Sequence, residues 1–168
     1  MARTYRLGRL RRAANITATR LASWGIGPPG SHLLTTTGRH SGEPSTTPVR
    51  TINIDGRRYP VAPYGPAAWV HNIREHPRVE LRRGHTTHAL EAREVDPNES
   101  GAALCRYIND VKITRPYFDA KPSDPVLRFT AEADRHPVFE LTEPVATGDD
   151  AGQMPTRVGV TMRGRRRK

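Results

Sequence analysis

A guanidinium, an imidazole and a hydroxyl follow one another at Arg39-His40-Ser41, framed by Gly38 and Gly42, with Ser45, Thr46 and Thr47 close behind. Together these groups can hold an anion. Arginine offers a planar fork matched to phosphate oxygens, and serine and threonine add neutral donors. The two glycines permit positive φ and close backbone approach, so amide N–H groups can converge on one ligand oxygen. The competing reading is an ordinary hairpin with a solvated tip. Two familiar phosphate motifs are excluded: no Gly-Lys-Ser/Thr ends the stretch, and the next segment reads as a strand, not the helix of a dinucleotide fingerprint.

Other chemistries find little support. Cys105 is the only cysteine; beside Leu104 and Ile108 on a helical pattern it reads as a packed thiol. The seven histidines are scattered, with no carboxylate or thiol at ligand spacing, so no metal site is expected. No Gly-x-Ser-x-Gly elbow supports serine hydrolysis. A reaction whose chemistry resides in a cofactor, with the protein binding and orienting it, fits this inventory best.

The stretch resembles the deazaflavin-dependent nitroreductase family, split-barrel oxidoreductases that bind coenzyme F420. The matching residues are Thr37 to Gly42 and Thr46-Thr47-Pro48, then Val61-Ala62-Pro63-Tyr64-Gly65 and Trp69-Val70-His71-Asn72-Ile73-Arg74. Arg115-Pro116-Tyr117-Phe118-Asp119 and His136-Pro137-Val138-Phe139-Glu140-Leu141 extend the series, which covers Leu33 to Leu141.

The resemblance implies an α+β, mainly antiparallel split β-barrel, and a reductase that passes a hydride from reduced F420 to a quinone, an activated alkene or a nitro compound. By the same resemblance, Gly38, Arg39, His40, Ser41 and Gly42 hold the phosphate and acidic tail. Ser45, Thr46, Thr47, Pro48, Val49 and Arg50 line the next edge. Val61, Ala62, Pro63 and Tyr64 lie along the ring, Ala68, Trp69 and Asn72 close the pocket, and Tyr64 and Tyr117 are the catalytic candidates, facing the substrate as proton donors or shape-setting walls. The residues themselves leave alternatives: Trp69 suits a core equally well, and Asn72 suits a hydrogen bond within its helix. FMN is the alternative cofactor, and a non-catalytic lipid- or heme-binding protein is the alternative class. Three positions depart from the family pattern: His40 stands for a lysine or arginine, Ser45 for an arginine, and Pro63 for a serine near the reactive carbon. Proline has no donor, which disfavours nitroreduction of the best-known kind.

The elements that must position these groups are read from pattern. The 168 residues suit one domain. Strands are predicted at Ser31–Thr36, Pro48–Ile54, Arg57–Ala62, Arg78–Arg83, Thr86–Val95 and Val138–Leu141, with Asp55-Gly56 as a hairpin signal. Helices are predicted at Pro66–Glu75, from Pro97 to about Val111, and within 124–133. Such a series argues for an antiparallel barrel with helices outside it.

Charge divides the chain. Residues 1–24 hold six arginines and no acid, 157–168 hold six cations and no acid, and all 17 acidic residues lie between, against 15 basic ones. The net charge of +10 is therefore a property of the arms. Within 1–24, Leu7, Leu10, Ala14, Thr17, Leu21 and Trp24 form a narrow helical stripe. The stripe packs on the barrel or lies in an anionic membrane surface. Domain boundaries are set at 1–24, 25–143 and a basic tail read as disordered at 144–168. No aromatic residue is interleaved with the tail's cations, so specific nucleic-acid recognition is not expected. A cytoplasmic protein, peripheral to the membrane if the stripe binds lipid and pairing as such barrels often do, is the expectation.

Overall fold

The computed structural model describes residues 28–144. The N-terminal stripe and the basic tail lie outside them. Six antiparallel strands close a barrel: β1 (Ser31–Thr37), β2 (Pro44–Ile54), β3 (Arg57–Pro60), β4 (Arg78–Arg83), β5 (Thr86–Glu94) and β6 (Phe139–Thr142), in the order β1-β2-β3-β6-β5-β4. The split-barrel expectation is met. Among the described residues three α-helices accompany it: α1 (Ala68–Glu75), α2 (Pro97–Asp110) and the short α3 (Val126–Thr130), with 3-10 turns at Lys112–Tyr117 and Ala133–Arg135.

Alternation along the strands sorts the apolar residues into two cores. One contains Leu34, Val49, Ala62, Leu81 and Phe139 together with Trp69, Val70 and Ile73 of α1. Helix α1 thus contributes a face to this core and is not merely peripheral. The other contains the alternate neighbours Val61 and Val138, with Ile52 and Tyr59, packed against Ala103, Leu104, Tyr107 and Ile108 of α2. Asp96 caps α2 by accepting from the Asn98 and Glu99 amides at 2.8 and 3.0 Å, and Pro97 occupies the first turn.

The β3–β6 seam is the thinnest part of the barrel, with Arg58 opposite Leu141 and a bridge from Val61 to Val138. Glu140, only 3 % exposed, reinforces it. Its carboxylate accepts from Arg93 on β5 at 2.5 Å and from Arg57 on β3 at 2.7 Å. These hydrogen bonds, that of Arg93 foremost, hold its carboxyl below the usual range. One side chain on the closing strand thereby joins both neighbours.

A second buried pair makes stability depend on pH. His136 is 4 % exposed, stacks on Phe118 at 4.0 Å, and has Nε2 3.4 Å from Glu132, outside hydrogen-bond geometry. Burial lowers its pKa below 6.5, against the opposing pull of Glu132. The unfolded chain then takes up a proton first, so stability is complete above about pH 6.5 and falls below it, by at most about 1.4 kcal/mol per pH unit. Urea unfolding at about pH 7.5 and about pH 5.5 checks this. A His136→Gln variant is expected to show a shallower loss.

Candidate functional site

The β1–β2 connection is tighter than its sequence predicts, because β2 begins at Pro44, opposite Thr37, and not at Pro48. Six residues, 38–43, make the turn. Gly38 donates from its amide to Glu43 O at 2.8 Å, and Gly42 donates to Gly38 O at 2.8 Å. A Cβ on Gly38 would sit 2.6 Å from Ser41 Oγ and 3.1 Å from Glu43 O, and Gly42 has φ of +69°, so both glycines are required for different reasons.

Four amides of this turn are engaged within the protein: those of Gly38 and Gly42, Glu43 N donating to Ser41 Oγ at 3.2 Å, and Arg39 N donating to Asn72 Oδ1 at 3.2 Å. The expected convergence of many amides on one ligand is therefore corrected. The glycines serve the loop's own closure, and side chains supply most of the donors. Arg39 and His40 are exposed, with Arg39 Nε donating to His40 Nε2 at 3.0 Å. That bond requires the imidazole to accept, which keeps its proton on Nδ1.

Asn72 is the hinge of the corner. It projects from α1, is 5 % exposed, accepts from the Arg39 amide and donates to Thr36 Oγ1 at 3.0 Å. Thr36 in turn donates to Ser45 O at 3.4 Å. The helix, the end of β1, the turn and the start of β2 are thus joined through one carboxamide, where the sequence offered a pocket wall or a bond within the helix.

Gly38, Arg39, His40, Ser41, Ser45 and Asn72 line one cavity of about 300 Å³, together with Glu43 and Pro44. Glu43, which the motif does not single out, lines the same cavity as Arg39, so the formal charges of the corner cancel and it is not positive as its motif suggests. Replacing it tests that balance: Glu43→Gln is expected to tighten binding of a polyanion about two- to fivefold, the scale of one exposed charge interaction. Titration calorimetry at low salt reads the change, which shrinks as salt is added.

The remaining predicted residues divide. Val49, Val61, Ala62 and Trp69 are 8, 2, 3 and 6 % exposed and belong to the cores. Trp69 lies 5.6 Å from Phe139, centroid to centroid, and does not wall the cavity. Ala68 is exposed at the start of α1, and Pro63 and Gly42 lie outside the cavity lining. On β2, Thr46, Pro48 and Arg50 share the face opposite Val49, spanning about 13 Å at about 3.3 Å per residue. Thr46 shares a hydroxyl hydrogen bond with Thr35 at 2.9 Å, Thr47 is half-buried, and Arg50 donates to Ser31 Oγ at 3.2 Å.

The two predicted tyrosines meet each other. Tyr64, 41 % exposed, packs edge-on against Tyr117 with centroids 4.7 Å apart. Burial raises the pKa of the neighbouring Tyr107, Tyr64 adds to the rise, and Arg50 opposes it. Arg50 and Tyr64 are thus each within electrostatic reach of Tyr107. Among the described residues no cluster of His, Cys, Asp or Glu could hold a metal, and no helix is long and apolar enough to cross a membrane.

Comparison with known proteins completes the picture. Among solved structures, the chain is similar to an F420-H2 dependent reductase at 20 % identity and a TM-score of 0.50, covering 68 % of this chain and 95 % of that one. A structure described as a domain-swapped dimer gives 17 % identity and a TM-score of 0.50, covering 80 % and 100 %. A protein of unknown function from Agrobacterium tumefaciens gives 19 % and 0.53, covering 84 % and 59 %. These likenesses speak to fold. Sequence says more, because residues 9–121 match the model of the F420H(2)-dependent quinone reductases. With well over half of its length matched, and with the barrel that the family motif implied, the chain belongs to the F420H(2)-dependent quinone reductase family, oxidoreductases whose cofactor is coenzyme F420.

Proposed function

We propose that this protein reduces an electron-poor acceptor, a quinone foremost and an activated alkene or nitro compound as alternatives, with the charged end of F420 held at the 38–45 corner and the acceptor beside Tyr64 and Tyr117. The observation that most supports this reading is the meeting of Gly38, Arg39, His40, Ser41, Ser45 and Asn72 around one cavity. Their donors fit a phosphate: a guanidinium fork, a hydroxyl and an imidazole on an open corner. Bound F420 in its reduced form supplies a hydride.

The chain's own residues do the rest. Arg39 and Ser41 would bind the phosphate, with Glu43 limiting attraction for a long acidic tail. The outer face of β2, through Thr46, Pro48 and Arg50, would align the cofactor between the corner and the tyrosines. Orientation of this kind contributes to rate by removing rotational and translational freedom before reaction. Quinone reduction also consumes a proton, delivered from water or from one of the two tyrosine hydroxyls.

An anaerobic assay with reduced F420 and menadione tests the proposal through recovery of the oxidised deazaflavin's absorbance. Turnover with F420 and none with FMN supports it, whereas FMN binding without F420 binding overturns it. If a tyrosine is the acid, Tyr64→Phe or Tyr117→Phe is expected to lower kcat about a hundredfold with cofactor Kd unchanged and an altered pH profile. Pairing into a homodimer and attachment to anionic membranes through residues 1–24 belong to the same proposal. Light scattering and liposome co-sedimentation check them.

A further inference from the structure

The corner occupies one end of the barrel. At the other end a larger cavity, of about 470 Å³, opens between the β2–β3 hairpin, the β4–β5 hairpin and the last turns of α2. Nothing in the proposed reaction uses it. We infer that this cavity is a second anion-binding site, for a small molecule carrying a phosphate-type dianion.

Charge carries the inference. Arg58, Arg83, Arg106, His32 and His88 line the cavity, against the single carboxylate of Asp110. Asp110 is already engaged by Arg106 Nε at 3.0 Å, one helical turn away. Among the described residues no carboxylate pairs with Arg58 or Arg83. The span between the basic arms holds 17 acidic residues against 15 basic ones, so an excess of cations here runs against the local composition. They also come from three separate elements, and like charges drawn together across a cavity repel unless an anion lies between them.

The site is also built, not merely charged. His32 is held through Nδ1, 3.1 Å from Gly30 O and 3.0 Å from Thr51 Oγ1, which fixes the ring; with Nδ1 donating to the carbonyl, Nε2 donates to an anion only in the protonated ring, whose charge a bound dianion would itself stabilise. Arg83, Arg58 and His88 each press the His32 pKa downward, after burial, which places all three within electrostatic reach of that ring. Two arginine forks near a fixed imidazole match a phosphate's tetrahedral oxygens. Ile52 and Leu81 also line the cavity and give an organic body an apolar surface. The arm before Gly25 brings six arginines and no acid, so its charge does not complement this cavity.

The test uses the full-length protein and sodium pyrophosphate at matched ionic strength, by titration calorimetry and by NMR of the histidine rings, with no F420 present. Saturable binding is expected, with the His32 and His88 ring resonances shifting along the same isotherm. Affinity should fall at least about tenfold in an Arg58→Gln/Arg83→Gln variant, the loss of roughly one charge-assisted hydrogen bond or more, and persist in Arg39→Ala. Because the 38–45 corner can take the same anion, the His32 and His88 rings are the readout: the inference is overturned if they do not respond, if their isotherm survives the double substitution, or if Arg39→Ala abolishes it. The ring shifts are read on the unaltered chain, so a misfolded variant leaves that criterion standing. Because the cofactor takes no part, failure here is independent of the reductase reading.

Discussion

Arg39→Ala is expected to weaken F420 binding by about ten- to a hundredfold. A hydrogen bond to a charged group contributes about 1.5–3 kcal/mol, and about 1.4 kcal/mol is a factor of ten in affinity. Arg39 is exposed and its Nε donates to His40, which is itself exposed, so its removal takes little from the fold. Melting temperature should therefore stay within a degree or two of the parent, since such surface changes cost within about 0.5 kcal/mol. At saturating cofactor, kcat should change little, because the residue sits in the 38–43 turn and its proposed part is binding and not proton delivery. Arg39→Lys should recover only part of the affinity, as a point charge replaces a fork. Fluorescence titration of F420 at two salt concentrations measures all of this. A Kd within twofold of the parent would remove Arg39 from the binding site.

Asn72→Ala is expected to be the most damaging single change at the site. It leaves the Arg39 amide without its acceptor, takes from the buried Thr36 hydroxyl the bond it accepts while that to Ser45 O remains, and opens space beneath the turn. Unsatisfied buried groups cost about 1–3 kcal/mol each, so a loss of about 2–4 kcal/mol is expected, or roughly 6–15 °C in Tm. Cofactor affinity should fall as well, since the turn loses its anchor to α1. Thr36→Val separates positioning from contact. It removes the other end of the same link, together with the bond to Ser45 O, while leaving the Asn72 side chain in place, so a raised F420 Kd in Thr36→Val means that the link itself, and not contact with the carboxamide, supports binding. An unchanged Kd in Thr36→Val beside a raised one in Asn72→Ala would make Asn72 a contact residue instead.

The barrel was legible because its signals are local. Asp55-Gly56 announces the β2–β3 hairpin, alternation marks the strands, and Asp96-Pro97 starts α2. Helix α1 begins two residues after the predicted Pro66, which precedes the helix and is not its first residue. Pro48 reads as the start of the second strand, yet β2 begins at Pro44 and runs through Pro48, because pairing with β1 extends it beyond the local signal. The 3-10 turn carrying Tyr117 has no periodicity that would reveal it. What remained hidden in the site depends on residues far apart in sequence. The Arg39–Asn72 contact spans 33 residues, and the Arg57–Glu140 pair spans 83. Glu43 is inconspicuous in the sequence because the motif directs attention to cations, while the fold makes this neighbouring acidic residue part of the same cavity lining. Trp69 fitted core or pocket equally in sequence. Alternation along α1 could not decide between them, and its packing on Phe139 does.

Backbone amide shifts during titration of 15N-labelled full-length protein with oxidised F420 test the central claim most directly. The account predicts one contiguous track: His40, Ser41 and Ser45 at the corner, then Thr46 and Arg50 along β2, ending at Tyr64 and Tyr117. Shifts confined to His32, Arg83 and His88 at the opposite end of the barrel, or no saturable shift at the corner, would contradict it.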